Sequence, residues 1–180
     1  MKTKISHIHT IKGRLHACRH HDLQCLSDLK ALLEKRLLEN KINASISHRV
    51  KDTDSMVYKI KRKQCKFHEI CDRLGMRIIV GKVEDCYKVL HICKDSFLYG
   101  SESIKDYIIS PKQNGYQSLH ILINPPCSSH DQCVEVQIRT WDMHCEYLSG
   151  RASHDNYKKE KYGVEPRLNQ RKTKNPKSYI

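Results

Sequence analysis

Several things are missing from this chain of 180 residues. No apolar run is long enough to cross a bilayer, and the opening MKTKISHIHTIKGR lacks the apolar block of a secretory signal. No membrane partner is therefore expected, and a cytoplasmic location is. There is no GxxxxGK[ST] loop, which excludes a P-loop as phosphate holder. The nine cysteines contain no C-x-x-C pair, and without a signal peptide disulfides are not expected. His68 with Cys71, and His144 with Cys145, complete no four-ligand set, so structural zinc is not expected either. Most thiols read as small apolar fillers. No internal repeat is present, and two Phe and one Trp leave little beyond tyrosine for stacking on bases.

Acidic residues are scarce beside basic ones: 20 Asp and Glu against 33 Lys and Arg, a formal net charge of +13. That excess favours phosphate-bearing partners. The length suits one domain. Residues 1–20 show no clear period and read as a loose lead-in. From Asp22 to Lys41 a helix is expected, with Leu23, Leu26, Leu29, Leu33 and Leu37 on one stripe. Ile42, Ala44 and Ile46 alternate into a strand that reaches Arg49-Val-Lys51, and a helix follows from about Thr53. Leu74–Val80 reads as a buried strand, and Cys86, Val89, Leu90 and Cys93 as the inner face of a helix. Further strands are expected near Tyr107–Ile109, through Leu119, Ile121 and Ile123, and over Cys133–Thr140. Thr140 is placed to cap a last helix. The fold class is α+β (α/β), a single mixed sheet flanked by helices. Its parts are a lead-in and helix over 1–44, the main domain over 45–160, and a basic flexible tail over 161–180.

Three groups of residues have the chemistry of a site. In Cys133–Thr140, strand alternation puts Glu135, Gln137 and Arg139 on one face, and Tyr116, Ser118 and His120 share a face of the neighbouring segment. Two polar faces in one small sheet describe either a lined cleft or a solvated surface. Asp72, at the edge of the apolar strand, either holds a divalent ion together with Glu135 or pairs with Arg73 or Arg77. Arg49, Lys51, Ser55 and Lys59 cluster at a strand end and the first turns of a helix, an arrangement that suits a polyphosphate and also suits an ordinary basic surface. His20-His21-Asp22 invites a metal-dependent phosphohydrolase reading, but such a site needs further His and Asp ligands spread over a helical domain, and too few residues separate Asp22 from Arg49 to hold one.

In order along the chain stand R-x-K-x3-S-x3-K (Arg49, Lys51, Ser55, Lys59), D-x-x-x-x-R-I (Asp72, Arg77, Ile78) and D-C-Y (Asp85–Tyr87). K-D-Y-I (Lys105–Ile108), P-K-x-N-G-Y-Q-S-L-H (Pro111–His120), V-E-V-Q-I-R-T (Val134–Thr140), M-H (Met143-His144) and G-x-A-x-H-x-x-Y-K (Gly150–Lys158) follow. This series resembles the synthetase domain of the RelA/SpoT family of (p)ppGpp (alarmone) synthetases. The resemblance implies a nucleotidyltransferase-like fold and transfer of the β,γ-pyrophosphate of ATP to the 3′-hydroxyl of GDP or GTP. It implies that Arg49, Lys51, Ser55, Lys59 and Arg77 hold ATP, and that Asp72 and Glu135 are catalytic and carry Mg²⁺, with Mn²⁺ as the alternative. Tyr116 would stack on guanine, with Lys105, Lys112, Asn114, Gln117, His120 and Gln137 around the acceptor nucleotide. Three departures accompany it. The residues ahead of Arg49 are too few for the family's hydrolase domain, Ser103 stands where the pattern has an arginine, and Tyr147-Leu148 replace an Ala-Glu pair. The alternatives are a catalytically impaired synthetase fragment that binds guanine nucleotide, and a basic RNA-binding module whose tail contacts nucleic acid or the ribosome.

Overall fold

The leucines at positions 26, 29, 33 and 37 are all nearly inaccessible and anchor α1 (Lys2–Glu39) against the sheet. A computed structural model describes residues 2–64, 73–100, 103–126 and 133–149, with backbone only over 2–11 and at 61, 63 and 149. The stretch 1–20, expected as a loose lead-in, is helical wherever it is described. Once the leucine-rich half is nucleated, each added residue gains a backbone hydrogen bond, and no proline interrupts the run. Leu15 is buried, and Lys12 Nζ lies 2.8 Å from Asp54 Oδ1 on the next helix. The stripe also differs from expectation by one position. Leu23 is 41% exposed, and its neighbour Asp22 is fully buried, its carboxylate 2.6 Å from Arg73 Nη1.

The end of α1 is a Schellman motif. Lys41 adopts a left-handed conformation (φ 55°), its amide donates to Leu38 O at 3.0 Å, and the Ile42 amide donates to Leu37 O at 2.9 Å. The buried pair Leu37 and Ile42 closes the motif and aims the chain into β1 (Ala44–Val50). Asp52 then caps α2 (Thr53–Lys63), accepting from the Ser55 amide at 2.8 Å. Burial opposes ionisation of Asp52, but hydrogen bonds from Ser55 and the Lys51 charge outweigh it and hold its pKa below the ordinary value.

β2 (Leu74–Val80), α3 (Val83–Ser96), β3 (Lys105–Asp106), β4 (Leu119–Ile123), β5 (Val134–Thr140) and α4 (Trp141–Ser149) complete the chain as described. The five strands form one mixed sheet in the order β1-β2-β5-β4-β3. β2 and β5 run parallel, and the other pairs are antiparallel. Ile46, Met76, Ile78, Val136, Ile138, Leu119 and Ile121 join the buried faces of α1 and α3 in one apolar core. Cys86 and Cys93 sit in that core as the fillers expected of them. The strand expected near Tyr107–Ile109 pairs instead at Lys105–Asp106, because Asp106 Oδ1 accepts from the Ile108 and Ile109 amides and turns the chain. Asp106 Oδ2 accepts from the Tyr87 hydroxyl at 2.9 Å, which ties β3 to α3. Thr140 caps α4 as expected, its hydroxyl accepting from the Met143 amide.

Candidate active site

With α1 and α3 on one side of the sheet, the register collects the polar residues on the other. Arg49 on β1 stands opposite Gly75 on β2, and Gly75 opposite Glu135 on β5. The next row holds Ser47, Arg77, Gln137, His120 and Lys105, in order across all five strands. Side chains opposite one another in paired strands share a face, so these rows form one surface. Gly75 matters here because it has no side chain. A Cβ there would lie 3.6 Å from Arg49 Cγ and 3.7 Å from Arg49 Nε, so the arginine stem rests on the bare backbone of β2. Ser47, Arg49, Gly75, Arg77 and Gln137 help line a small open pocket of about 110 Å³.

A chain of hydrogen bonds runs along this face. The Tyr116 hydroxyl lies 2.8 Å from His120 Nε2, and His120 Nδ1 lies 3.2 Å from Glu135 Oε1. Gln137 Nε2 donates to Glu135 Oε2 at 2.8 Å, and Arg139 Nη2 donates to Gln137 Oε1 at 3.0 Å. The Glu135 side chain is 26% exposed and is thus reachable by a substrate. Arg139 is fully buried. Its Nε and Nη1 have no partner, and its guanidinium carbon lies 4.7 Å from the Tyr147 ring centre and 5.4 Å from that of Tyr116. Burial lowers the Arg139 pKa, and Arg77 and Arg49 lower it further. His144 Nδ1 is also buried without a partner, and burial, Arg139 and Arg77 push its pKa down.

The segment Lys112–His120 is built around a turn. The Gly115 amide donates to Lys112 O at 2.8 Å, and Gly115 takes the left-handed φ of 78° that only glycine adopts without strain. Asn114 Oδ1 accepts from the Tyr116 amide, and Gln117 Nε2 donates to Ile108 O. Two of the amides expected around the acceptor are therefore used to shape the loop. Lys112 Nζ stands 4.4 Å from the Tyr107 ring centre and 4.8 Å from that of Tyr116.

Of the residues singled out from the sequence, Arg49, Arg77, Lys105, His120, Glu135 and Gln137 share the sheet face, and Tyr116 and Lys112 border it. Ser55 and Lys59 lie on α2. Lys51 directly follows β1, its amide donating to Arg73 O. Asp72 lies outside the described residues, as does the basic tail. Arg139, His144 and Tyr147 were not assigned roles from the sequence. Arg139 was legible from the alternation of its strand, whereas the other two depend on where α4 packs. Among the described residues no helix is long and apolar enough to cross a membrane, and no three His, Cys, Asp or Glu residues cluster as a metal site.

A family profile described as "Region found in RelA / SpoT proteins" matches residues 48–162. The chain belongs to the RelA/SpoT family. A guanosine-3′,5′-bis(diphosphate) 3′-pyrophosphohydrolase from Aquifex aeolicus is 41% identical over 129 residues, which cover 72% of this chain and 18% of the relative. A GTP pyrophosphokinase from Haemophilus influenzae is 34% identical, over 77% of this chain and 18% of the relative. The chain thus spans under one fifth of the length of these RelA/SpoT relatives. Among solved structures, small alarmone synthetase 1 from Bacillus subtilis bound to its product pppGpp matches with a TM-score of 0.64 at 27% identity, over 79% of each chain. The mixed five-stranded sheet flanked by helices is therefore an alarmone synthetase fold, the α+β class expected from the sequence.

Proposed function

We propose that this chain is a (p)ppGpp synthetase that transfers the β,γ-pyrophosphate of ATP to the 3′-hydroxyl of GDP or GTP. The observation that carries this reading is the pair of adjacent rows that bring Arg49, Arg77, Gln137 and Glu135 onto one open sheet face, cations beside a reachable carboxylate. In the reaction a bond forms between the 3′-oxygen and the β-phosphorus of ATP. The bond from that phosphorus to the oxygen bridging to the α-phosphate breaks, and AMP leaves. Glu135 takes the 3′-hydroxyl proton, while Gln137 and His120 hold the carboxylate in place through both oxygens. Arg49 and Arg77, with Lys51, Ser55 and Lys59 near the end of β1, bind the triphosphate. Their positive charge offsets negative charge that develops on the transferred group. The B. subtilis synthetase bound to pppGpp supports guanine nucleotides as ligands of this fold.

Glu135 also fits magnesium. It is a hard oxygen donor beside a polyphosphate-binding face, and magnesium takes one or two carboxylates and fills its shell with phosphate and water. Asp72 and Glu135 would hold the ion, which would supply Lewis-acid stabilisation of the phosphoryl oxygens.

The test is direct. ATP labelled at the β-phosphate should pass its label to GDP or GTP, and Glu135→Gln should reduce turnover by about 10³-fold or more with the fold retained, since proton transfer and metal binding are both lost. No label transfer by the parent chain overturns the proposal, and turnover by Glu135→Gln within twofold of the parent would remove Glu135 from it.

One observation favours a second reading, a domain that binds guanine nucleotide without turning it over. Tyr116 is only 8% exposed, with Tyr147 edge-on at 5.8 Å and the Lys112 cation against its ring, so a nucleotide held by its phosphates is not aligned on Tyr116 for transfer until these neighbours move. Saturable GDP binding with no label transfer selects this reading.

A further inference from the structure

On the open face, both ring nitrogens of His120 are engaged. The Tyr116 hydroxyl is at Nε2 and the Glu135 carboxylate at Nδ1, at 2.8 and 3.2 Å. The His120 side chain is 11% exposed, and the Tyr107 ring meets its ring edge-on at 5.2 Å with an interplanar angle of 87°. β3 and β5 flank it in the sheet, with Lys105 and Gln137 opposite. A carboxylate only accepts hydrogen bonds, so Nδ1 donates in this contact, which leaves Nε2 to accept from the Tyr116 phenol. Burial raises the Tyr116 pKa, which keeps that hydroxyl protonated as the donor. A ring bonded on both sides has no spare donor for a phosphate. This separates it from the acceptor contact that the sequence pattern implied.

We propose that His120 is a positioning residue that clasps the acceptor-base platform to the general base. Through Nε2 it fixes the edge of the Tyr116 ring, and through Nδ1 it fixes the Glu135 carboxylate. A nucleoside seated on Tyr116, once Tyr147 and Lys112 have moved off the ring, then presents its ribose 3′-oxygen at a set distance from Glu135. The proposal rests on the synthetase reading of this site. The Nδ1 proton stays on the ring throughout, and the substrate proton goes to Glu135 alone.

Two substitutions divide the clasp. An asparagine amide nitrogen falls near the position of Nδ1, so His120→Asn keeps the Glu135 bond and loses the one to Tyr116. A glutamine reaches the region of Nε2, so His120→Gln keeps Tyr116 and releases Glu135. His120→Asn should raise the acceptor KM about tenfold with kcat little changed, since platform order is lost. His120→Gln should lower kcat about 100-fold with the acceptor KM little changed, because the base is misplaced. Neither should alter the KM for ATP. Tyr116→Phe keeps the ring, removes only the hydroxyl, and should reproduce His120→Asn even where a His120 variant fails to fold. Equal losses in kcat and KM for both His120 variants, or an unchanged Tyr116→Phe enzyme, overturn the clasp.

A second measurement needs no turnover. Nitrogen-15 NMR of the ligand-free protein should show the His120 ring protonated at Nδ1 and bare at Nε2, and Glu135→Ala should release that preference. A ring protonated at Nε2 overturns the clasp and leaves the synthetase reading standing. The expected ring state in a chain that transfers no label keeps the geometry and overturns the synthetase reading alone.

Discussion

Arg139 shows how much a single side chain can cost. It is fully buried, yet only Nη2 has a hydrogen-bond partner, and that partner is the neutral amide of Gln137. The faces of Tyr116 and Tyr147 return part of the lost hydration through cation–π contact, worth roughly 2 kcal/mol when desolvated. Desolvation of an ion without a countercharge costs several kcal/mol, so the balance is unfavourable in the empty protein. Arg139→Met, close in length and apolar, should raise the unfolding free energy by about 1–4 kcal/mol. Urea denaturation of the two proteins measures this. A loss of stability would mean that the aromatic contacts outweigh desolvation. The residue was legible as polar from its alternation with Val136 and Ile138. Its isolation was not, because that depends on what α4 and the loop before β4 bring against it.

Elements are held by contacts between residues far apart in sequence, and these decide where reading the sequence succeeded. β2, β4 and β5 were legible because their burial follows strand alternation against a helical layer, as in Val134, Val136 and Ile138. β3 was misplaced because two residues become a strand only by pairing, Lys105 with His120 and Asp106 with Leu119. Apolar Tyr107–Ile109 look more like a strand, but the Asp106 carboxylate caps their amides into a turn. α1 was read from its leucines alone, so its first half and its buried Asp22 went unrecognised. That aspartate reaches Arg73 at the start of β2, with side-chain exposures of 1% and 11%. Removing one member of a buried pair takes a close countercharge from the other, so Asp22→Ala should destabilise by about 3–5 kcal/mol, and Asp22→Leu with Arg73→Met together by far less. Thermal or urea melts of the three proteins test this, and a single-variant loss below about 1 kcal/mol would mean that the pair behaves like an exposed one. The other end of α1 offers a gain. Lys41 holds a left-handed conformation that costs an L-residue about 1–2 kcal/mol, so Lys41→Gly should recover much of it despite the added freedom of the unfolded chain. An unchanged midpoint in the same melts would show that the Schellman contacts already absorb the strain.

At the scale of the whole molecule the question is whether the sheet, α1 and α3 open together or in pieces. The shared core argues for one unit: Leu33 of α1, Cys93 of α3 and Val136 of β5 belong to a single buried cluster. The cysteines report on this without added probes. Burial pushes the Cys93 thiol up to about 12, and burial with the nearby Asp85 and Glu84 charges does the same for Cys86. At pH 8 a thiol with a pKa near 12 is thiolate in only about one molecule in 10⁴, and the thiolate is the reactive form. Cys145 on α4 is exposed. Native alkylation mapped by mass spectrometry should therefore label Cys145 first among the described cysteines. Cys86 and Cys93 should react only through opening of the core, at one common rate that rises with denaturant as global unfolding does. The same experiment dissects the fold. If Cys86 and Cys93 react faster than unfolding while Cys25, buried on α1, stays protected, α3 peels from the sheet as a separate unit. That result would contradict a single cooperative core and leave α3, with its Tyr87–Asp106 tie to β3, as the weak layer beneath the sheet that carries the site.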